Sequence, residues 1–329
     1  MKMLINGADR VVEDALRGLA GAHPGLTVDT AHRIVLRGDA PVADKVALIA
    51  GGGSGHEPMP TGFVGHGMLD AACAGEVFAF PLPGRMARAA AAVDSGRGVL
   101  LMAGSDPRGA PGFDRAAELA EDEGVAVDAV LIADDMAIPG NGEGAGSRGA
   151  GGAVFVARLA GAAAESGASL EQVAALARRV AGSCRSCRIT PSACGDTESS
   201  PAHGPAPGGG GPGAGGGGEP AHVQQAGAGT AGTVEPAVEG LLAELRPGGP
   251  VLLLVNGMGG TPLLELYAFT AEAHRLLARR RVSVARTLVG NYVTSLDTAG
   301  CSVTLCQADD TLLRLWDSPV RTPALRWGG

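Results

Sequence analysis

The chain is predicted to fold as two α/β domains, the first a mostly parallel sheet with helices on both faces. Three observations carry this. Short apolar runs bounded by glycine or proline recur at regular intervals, as buried strands do. Stretches with apolar residues at helical spacing separate them, and strands alternating with helices imply crossover connections and a parallel sheet. At 329 residues the chain is also long enough for two units of ordinary size.

Taken in order, Asp9 is placed to cap a helix whose apolar positions are Val11, Val12, Ala15, Leu16 and Leu19. Arg33 to Leu36 reads as a strand. Val46 to Ala50 is a short apolar run that leads into Gly51-Gly52-Gly53-Ser54-Gly55-His56-Glu57-Pro58. Its glycines permit a sharp turn and close backbone approach, and His56 falls at the carboxyl end of the strand, where open α/β sheets bind small molecules. The loop has neither the Gly-Lys-Ser/Thr ending of a P-loop nor the spacing of a dinucleotide fingerprint. Cys73 to Phe80 is a second strand region, closed by Pro81-Leu82-Pro83. Met86 to Val93 is an alanine-rich helix, Gly98 to Ala103 a buried strand, Phe113 to Glu123 a helix, and Ala126 to Ala133 a strand that ends in Asp134-Asp135. A glycine-rich loop over 140–152 precedes a long helix from about Ala153 to Ser166. Ser169 and Gln172 form a capping box that starts another helix, ending near Val180.

The domain break falls at 182/183, giving an N-terminal domain over 1–182 and a C-terminal domain over 183–329. Within the second, the segment 195–233 holds long glycine runs and almost no side chain able to enter a core, so it is expected to be mobile. Beyond it, Val234 to Leu245 and Leu263 to Arg279 read as helices, and Val251 to Val255, Val282 to Val289 and Ser302 to Cys306 as strands.

Composition narrows the function. A net charge of −8 argues against nucleic acid or an anionic membrane as partner. No run approaches the roughly 18 apolar residues that span a bilayer. The first six residues lack the apolar core of a secretory signal, so the cytoplasm is the expected compartment. Aromatics make up only 3% of the chain, so the core must be built from Ala, Val and Leu. Of six cysteines, Cys73, Cys301 and Cys306 stand in apolar surroundings and are expected in the core. Cys184-x-x-Cys187 with Cys194 beyond it suits zinc or a redox pair in spacing. A fourth ligand is wanting unless His203 supplies it, and free thiols in a reduced cytosol are the expected state, with no metal.

The glycine loop, with Gly62-Phe63-Val64-Gly65 and Gly67-Met68-Leu69-Asp70-Ala71-Ala72, closely resembles the substrate-binding subunit of dihydroxyacetone kinase. The likeness resumes at Leu254 to Pro262 and at Leu288 to Asp297, in the same order, and spans most of 1–182 and 234–325. The resemblance implies a homodimeric subunit that binds dihydroxyacetone as a hemiaminal on one histidine, with a second histidine bonded to the substrate and an aspartate as base. ATP or ADP with Mg2+ would sit on a separate nucleotide-binding subunit, and the donor is either ATP directly or a phosphotransferase relay. His56 matches the substrate-contacting histidine within an intact motif, and Gly52 and Gly53 would place backbone groups beside the ligand. The family's Lys-Asn-Tyr-Thr-Gly-Asp is shortened here to Gly104-Ser105-Asp106, which makes Asp106 the aspartate. Phe80 stands where small polar residues are usual. The family's Gly-Ile-His-Gly-Glu-Pro-Gly corresponds to Gly215 to Ala221, with Gly217 in the place of the covalent histidine; His203 and His222 lack its local pattern. The blocks at Asn256 and Asn291, and Arg148, are expected to be structural. Two functions follow: a kinase subunit, or a catalytically impaired paralogue that binds a small ligand or regulates.

Overall fold

The computed structural model describes residues 4–105, 109–136, 151–191, 223–225, 229–296 and 298–328. The chain runs α1 (Val11–Ala22), β1 (Leu26–Asp29), β2 (Ile34–Arg37), β3 (Ala47–Ser54), β4 (Ala71–Val77), α2 (Pro83–Val93), β5 (Val99–Gly104), α3 (Ala110–Asp122), β6 (Val127–Ile132), α4 (Gly152–Glu165) and α5 (Leu170–Gly182). It continues as β7 (Cys184–Pro191), β8 (Val223–Gln225), α6 (Gly229–Leu245), β9 (Val251–Gly257), α7 (Leu263–Arg279), β10 (Val284–Gly290), β11 (Cys301–Gln307), α8 (Asp310–Asp317), β12 (Val320–Arg321) and β13 (Arg326–Trp327).

Two sheets result. The first has the order β1-β2-β4-β3-β5-β6, and β4, β3, β5 and β6 are parallel, as predicted, with an antiparallel β1-β2 edge. The second has the order β10-β9-β11-β7-β8 and is mixed. The predicted helices and strands stand within a few residues of their expected bounds. Ser169 caps α5 through the full box: its hydroxyl accepts from the Gln172 amide at 3.3 Å, and the Gln172 side chain accepts from the Ser169 amide at 3.0 Å.

The glycine loop over 140–152 lies outside the described residues up to position 150, and so does most of 195–233. Within the latter, Val223–Gln225 forms a strand beside β7 and α6 begins at Gly229, so regular structure reaches into the stretch expected to be mobile. Asp9 does not cap α1. The helix begins one residue later, with Arg10 at the N-cap position and no side-chain cap, and its first bond runs from the Asp14 amide to the Arg10 carbonyl.

Helix α4 is the element both sheets share. Every residue from Gly152 to Ala164 is buried, and the apolar cluster around it joins Leu48 and Val130 of the first sheet to Leu252, Leu254 and Cys306 of the second. Only small residues let a helix lie that close to its neighbours. A Cβ on Gly161 would come within 2.6 Å of the Met68 backbone. Asp134, just after β6, fastens the same junction. Its carboxylate accepts from the Gly152 amide at the start of α4, where the helix dipole favours a negative charge, and from the Ser186 hydroxyl on β7. The C-terminal stretch returns to α4 as well: Arg158, wholly buried, donates to the Trp316 and Ser318 carbonyls and caps the end of α8.

Cys184 and Cys187 both lie on β7, three residues apart, and successive strand side chains alternate between faces. Cys184 therefore enters the core around α4 and Cys187 the core on the opposite face. The pair cannot clasp one metal ion or close on itself. Cys194 lies outside the described residues. Cys73, Cys301 and Cys306 are buried, as expected. Burial pushes the Cys73, Cys187 and Cys301 thiols up to about 12. In a Cys194→Ala chain, native protein should react with a thiol reagent orders of magnitude more slowly than urea-unfolded protein, which should titrate all five remaining cysteines; rapid native labelling of Cys184 or Cys187 would contradict this burial.

A buried ion network braces the first sheet. Arg37 donates to Asp70 at 3.1 Å and Glu165 at 2.5 Å, and Lys45 donates to Asp70 at 2.5 Å. Burial raises the Glu165 pKa, but the Gly67 amide, Lys45, Arg37 and His66 together hold it below the ordinary glutamate value. A carboxylate with a depressed folded pKa stabilises fully above its unfolded pKa and loses that contribution as pH falls through the folded value. Glu165→Gln is therefore expected to cost about 1–3 kcal/mol at neutral pH, by leaving Arg37 short of a partner. In urea unfolding, the difference from wild type should shrink as pH drops below about 4.

Candidate functional site

The site is built at the carboxyl end of β3, where the chain leaves the centre of the first sheet. β3 pairs in parallel with β4 and β5 through Ala50, and its register to β4 shifts between Gly52 and Ser54. The shift peels the glycine loop away from the sheet. Ser54 holds the departing strand by donating to the Gly75 carbonyl at 2.9 Å. Gly55 follows with φ +99°, a backbone conformation that favours glycine. The Glu57 carboxylate turns back to accept from the Gly55 amide at 2.8 Å, closing the turn beneath His56.

His56 is half-buried, and its ring is held from two sides. Its Nδ1 lies 2.6 Å from the carbonyl oxygen of Thr294, and the Phe78 ring packs against it at 5.2 Å between centroids, tilted 56°. A carbonyl oxygen can only accept, so Nδ1 carries the hydrogen. Nε2 of the neutral ring is then left as a hydrogen-bond acceptor. Thr294 is 238 residues from His56, and its segment grips the loop at three further points, two through Thr294 and one through Leu296. Its amide donates to the His56 carbonyl at 3.2 Å, its hydroxyl donates to the Glu57 carbonyl at 2.8 Å, and the Leu296 amide donates to the Gly55 carbonyl at 2.8 Å.

The block around Asn291, expected to be structural rather than catalytic, holds the His56 ring through this contact across the two sheets, which has no signature in local sequence. Asn256, buried at the end of β9, in turn shapes that block by accepting from the Tyr292 and Val293 amides at 2.8 and 2.9 Å. Burial raises the Tyr292 pKa, with Tyr267 nearby adding to it.

Gly52 and Gly53 flank the site, and their need for glycine has different origins. A Cβ on Gly52 would touch Pro60 at an ordinary 3.4 Å, whereas one on Gly53 would press on the Phe78–Ala79 backbone at 2.8 to 3.0 Å. The chain itself makes the close approach at Gly53. Behind the loop, at the carboxyl ends of β3, β5 and β6, a void of about 20 Å³ is lined by Gly51, Met59, Pro60, Met102, Gly104 and Ala153, among others. That space suits one water.

Phe80 lays its ring on Gly109 at the start of α3, where a Cβ would come within 2.5 Å of it. An aromatic ring thus stands against α3 at a position where the resemblance implies a small polar residue. Asp106, His203, Gly217, His222 and Arg148 lie outside the described residues. Among the described residues, no group of three or more His, Cys, Asp or Glu side chains is placed to hold a metal ion. No described helix is long and apolar enough to cross a membrane.

Since the contact at Gly53 is with backbone rather than a flexible side chain, Gly53→Ala must displace the 78–79 segment. Urea denaturation should show a loss of about 1–3 kcal/mol, while Gly52→Ala, facing only Pro60, should stay near wild type.

Known proteins are similar to this chain in both sequence and fold. The chain is 39% identical, over 355 aligned positions covering all of both proteins, to the dihydroxyacetone-binding subunit DhaK of the PEP-dependent dihydroxyacetone kinase of Escherichia coli (strain K12). The crystal structure of the dihydroxyacetone kinase of C. freundii superposes with a TM-score of 0.82 at 30% identity, over 98% of this chain and 60% of that one. That of a dihydroxyacetone kinase operon co-activator, Dha-DhaQ, does so at 0.79 with 28% identity, over 95% of this chain and 97% of the other. The Dak1 domain matches residues 17–324, and with nearly the whole length matched in this way, the chain belongs to the Dak1 family.

Proposed function

We propose that this chain is the dihydroxyacetone-binding subunit of a dihydroxyacetone kinase, a phosphotransferase with an alcohol group as acceptor. The observation that carries the reading is full-length similarity to a DhaK subunit together with a His56 whose acceptor nitrogen is left for a ligand by the Thr294 carbonyl. The ligand sits on the outer side of the glycine loop, since the void behind it takes only a water-sized guest. There His56 Nε2 accepts from a hydroxyl of the triose, which fixes its orientation, and Gly52 and Gly53 offer backbone groups alongside.

Asp106 takes the proton of the hydroxyl that attacks the phosphorus. The phosphoryl group comes from a nucleotide-bearing partner subunit carrying ADP or ATP with Mg2+, either directly or through a phosphotransferase relay, and the partner stabilises the charge on the transferring group. The chain acts as a homodimer in the cytoplasm. With Gly217 in the place of the covalent histidine, the ketone is bound without a carbon–nitrogen bond to the protein. The second reading, a ligand-binding regulator, draws on the co-activator structure that shares this fold. The full-length kinase-subunit relative favours the first.

Calorimetric titration with dihydroxyacetone tests the proposal. Wild-type chain should bind, and His56→Ala should weaken binding by about tenfold or more; a wild-type chain that evolves no heat would overturn the assignment. With dihydroxyacetone labelled with carbon-13 at its carbonyl, the bound spectrum should show the ketone and no new hemiaminal carbon. A hemiaminal signal that vanishes in His203→Ala or His222→Ala would instead identify a substitute nucleophile.

A further inference from the structure

We infer that Asn256 is a positioning residue that sets the tautomer of His56 through Thr294. Asn256 is 1% exposed, and its amide makes four hydrogen bonds. Oδ1 accepts from the Tyr292 and Val293 amides at 2.8 and 2.9 Å, while Nδ2 donates to the Val293 carbonyl at 2.8 Å and the Ser302 hydroxyl at 3.2 Å. Because both backbone partners of Oδ1 are N–H donors, the orientation of the amide is settled by chemistry.

These bonds fold residues 292–293 into a turn at the end of β10, and the next residue presents its carbonyl to His56 Nδ1 at 2.6 Å. The Phe78 ring blocks the other side. A free imidazole side chain prefers its hydrogen on Nε2, which would make that nitrogen a donor. The carbonyl held by Asn256 reverses this preference and makes Nε2 an acceptor. A ligand hydroxyl that gives up its hydrogen bond to Nε2 therefore depends on an amide at the far end of a second sheet. Asn256 touches neither ligand nor His56; it works on the carbonyl between them.

The inference takes His56 as the ligand-contacting histidine of the proposed function, but its test needs no ligand. In full-length chain with histidines labelled with nitrogen-15, at a pH where the ring is neutral, His56 is assigned by its loss in His56→Gln. The wild type should show a protonated Nδ1 and an unprotonated Nε2. Asn256→Ala should lose that pattern and move toward the Nε2–H form. Asn256→Asp keeps an acceptor for both amides but sets its second oxygen against the Val293 carbonyl, to which Nδ2 donates in the wild type, so it too should move part of the way toward the Nε2–H form. If Asn256→Ala does not fold, Asn256→Ser, whose single short hydroxyl cannot serve both amides, should show the same movement in part. A folded Asn256→Ala or Asn256→Ser chain with the wild-type pattern would overturn the inference. Failure of the chain to bind dihydroxyacetone would leave this result standing and count only against the proposed ligand. Where the ligand does bind, Asn256→Ala should weaken it by about tenfold.

Discussion

The structure depends on a helix with no exposed face. Every residue of α4 from Gly152 to Ala164 is buried, so the helix cannot be satisfied by one sheet and must be covered from both sides. That requirement explains its composition. Alanine and glycine supply most of its surface because a larger side chain at Gly161 would meet backbone at 2.6 Å, and the stability lost by using small residues is recovered in area buried on two fronts. It also explains why Arg158 is tolerated inside. The guanidinium replaces its water with the carbonyls at the end of α8, and burial still lowers its pKa to about 10.

Because one helix serves two sheets, the sheets cannot move independently without opening a shared core. The consequence for the site is direct. The Thr294 carbonyl meets His56 across the junction between the sheets, and a hydrogen bond of 2.6 Å requires the two partners to be placed to within tenths of an ångström. Packing around α4 and the fastening of Asp134 to Gly152 and Ser186 supply that placement. Rigidity far from the ligand is thus what lets a single imidazole offer one defined acceptor.

Much of this was legible in the sequence, for identifiable reasons. The strand–helix alternation marks the parallel sheet because buried strands need continuous apolar runs. Ser169 and Gln172 mark the start of α5 because both halves of that cap lie within four residues. β7 was not read as a strand, since Cys184, Ser186 and Arg188 alternate with residues that are no more polar, and both faces of the strand are covered. Its two cysteines have the spacing of a ligand pair, and strand geometry puts them on opposite faces. Asp9 has the residue type of a cap, but the helix starts one residue later, at Arg10, which leaves Asp9 outside the capping position. The site divides in the same way. His56 and its glycines are written in one short motif, whereas Thr294, Asn256 and Phe78 act through contacts between distant parts of the chain. No local pattern encodes those contacts.

The division bears on how binding survives change elsewhere. The residues that orient His56 belong to the end of β4, to β9 and to the turn after β10, all anchored in sheets, whereas a sequence run such as the glycines of 208–218 has little apolar side chain to bury and can change at small cost to stability. The His56 scaffold has no such freedom. Altering Asn256 would leave buried backbone amides without partners, and altering Gly53 would displace the segment that carries Phe78. The contacts that hold the His56 ring in place are therefore among those that hold the fold together.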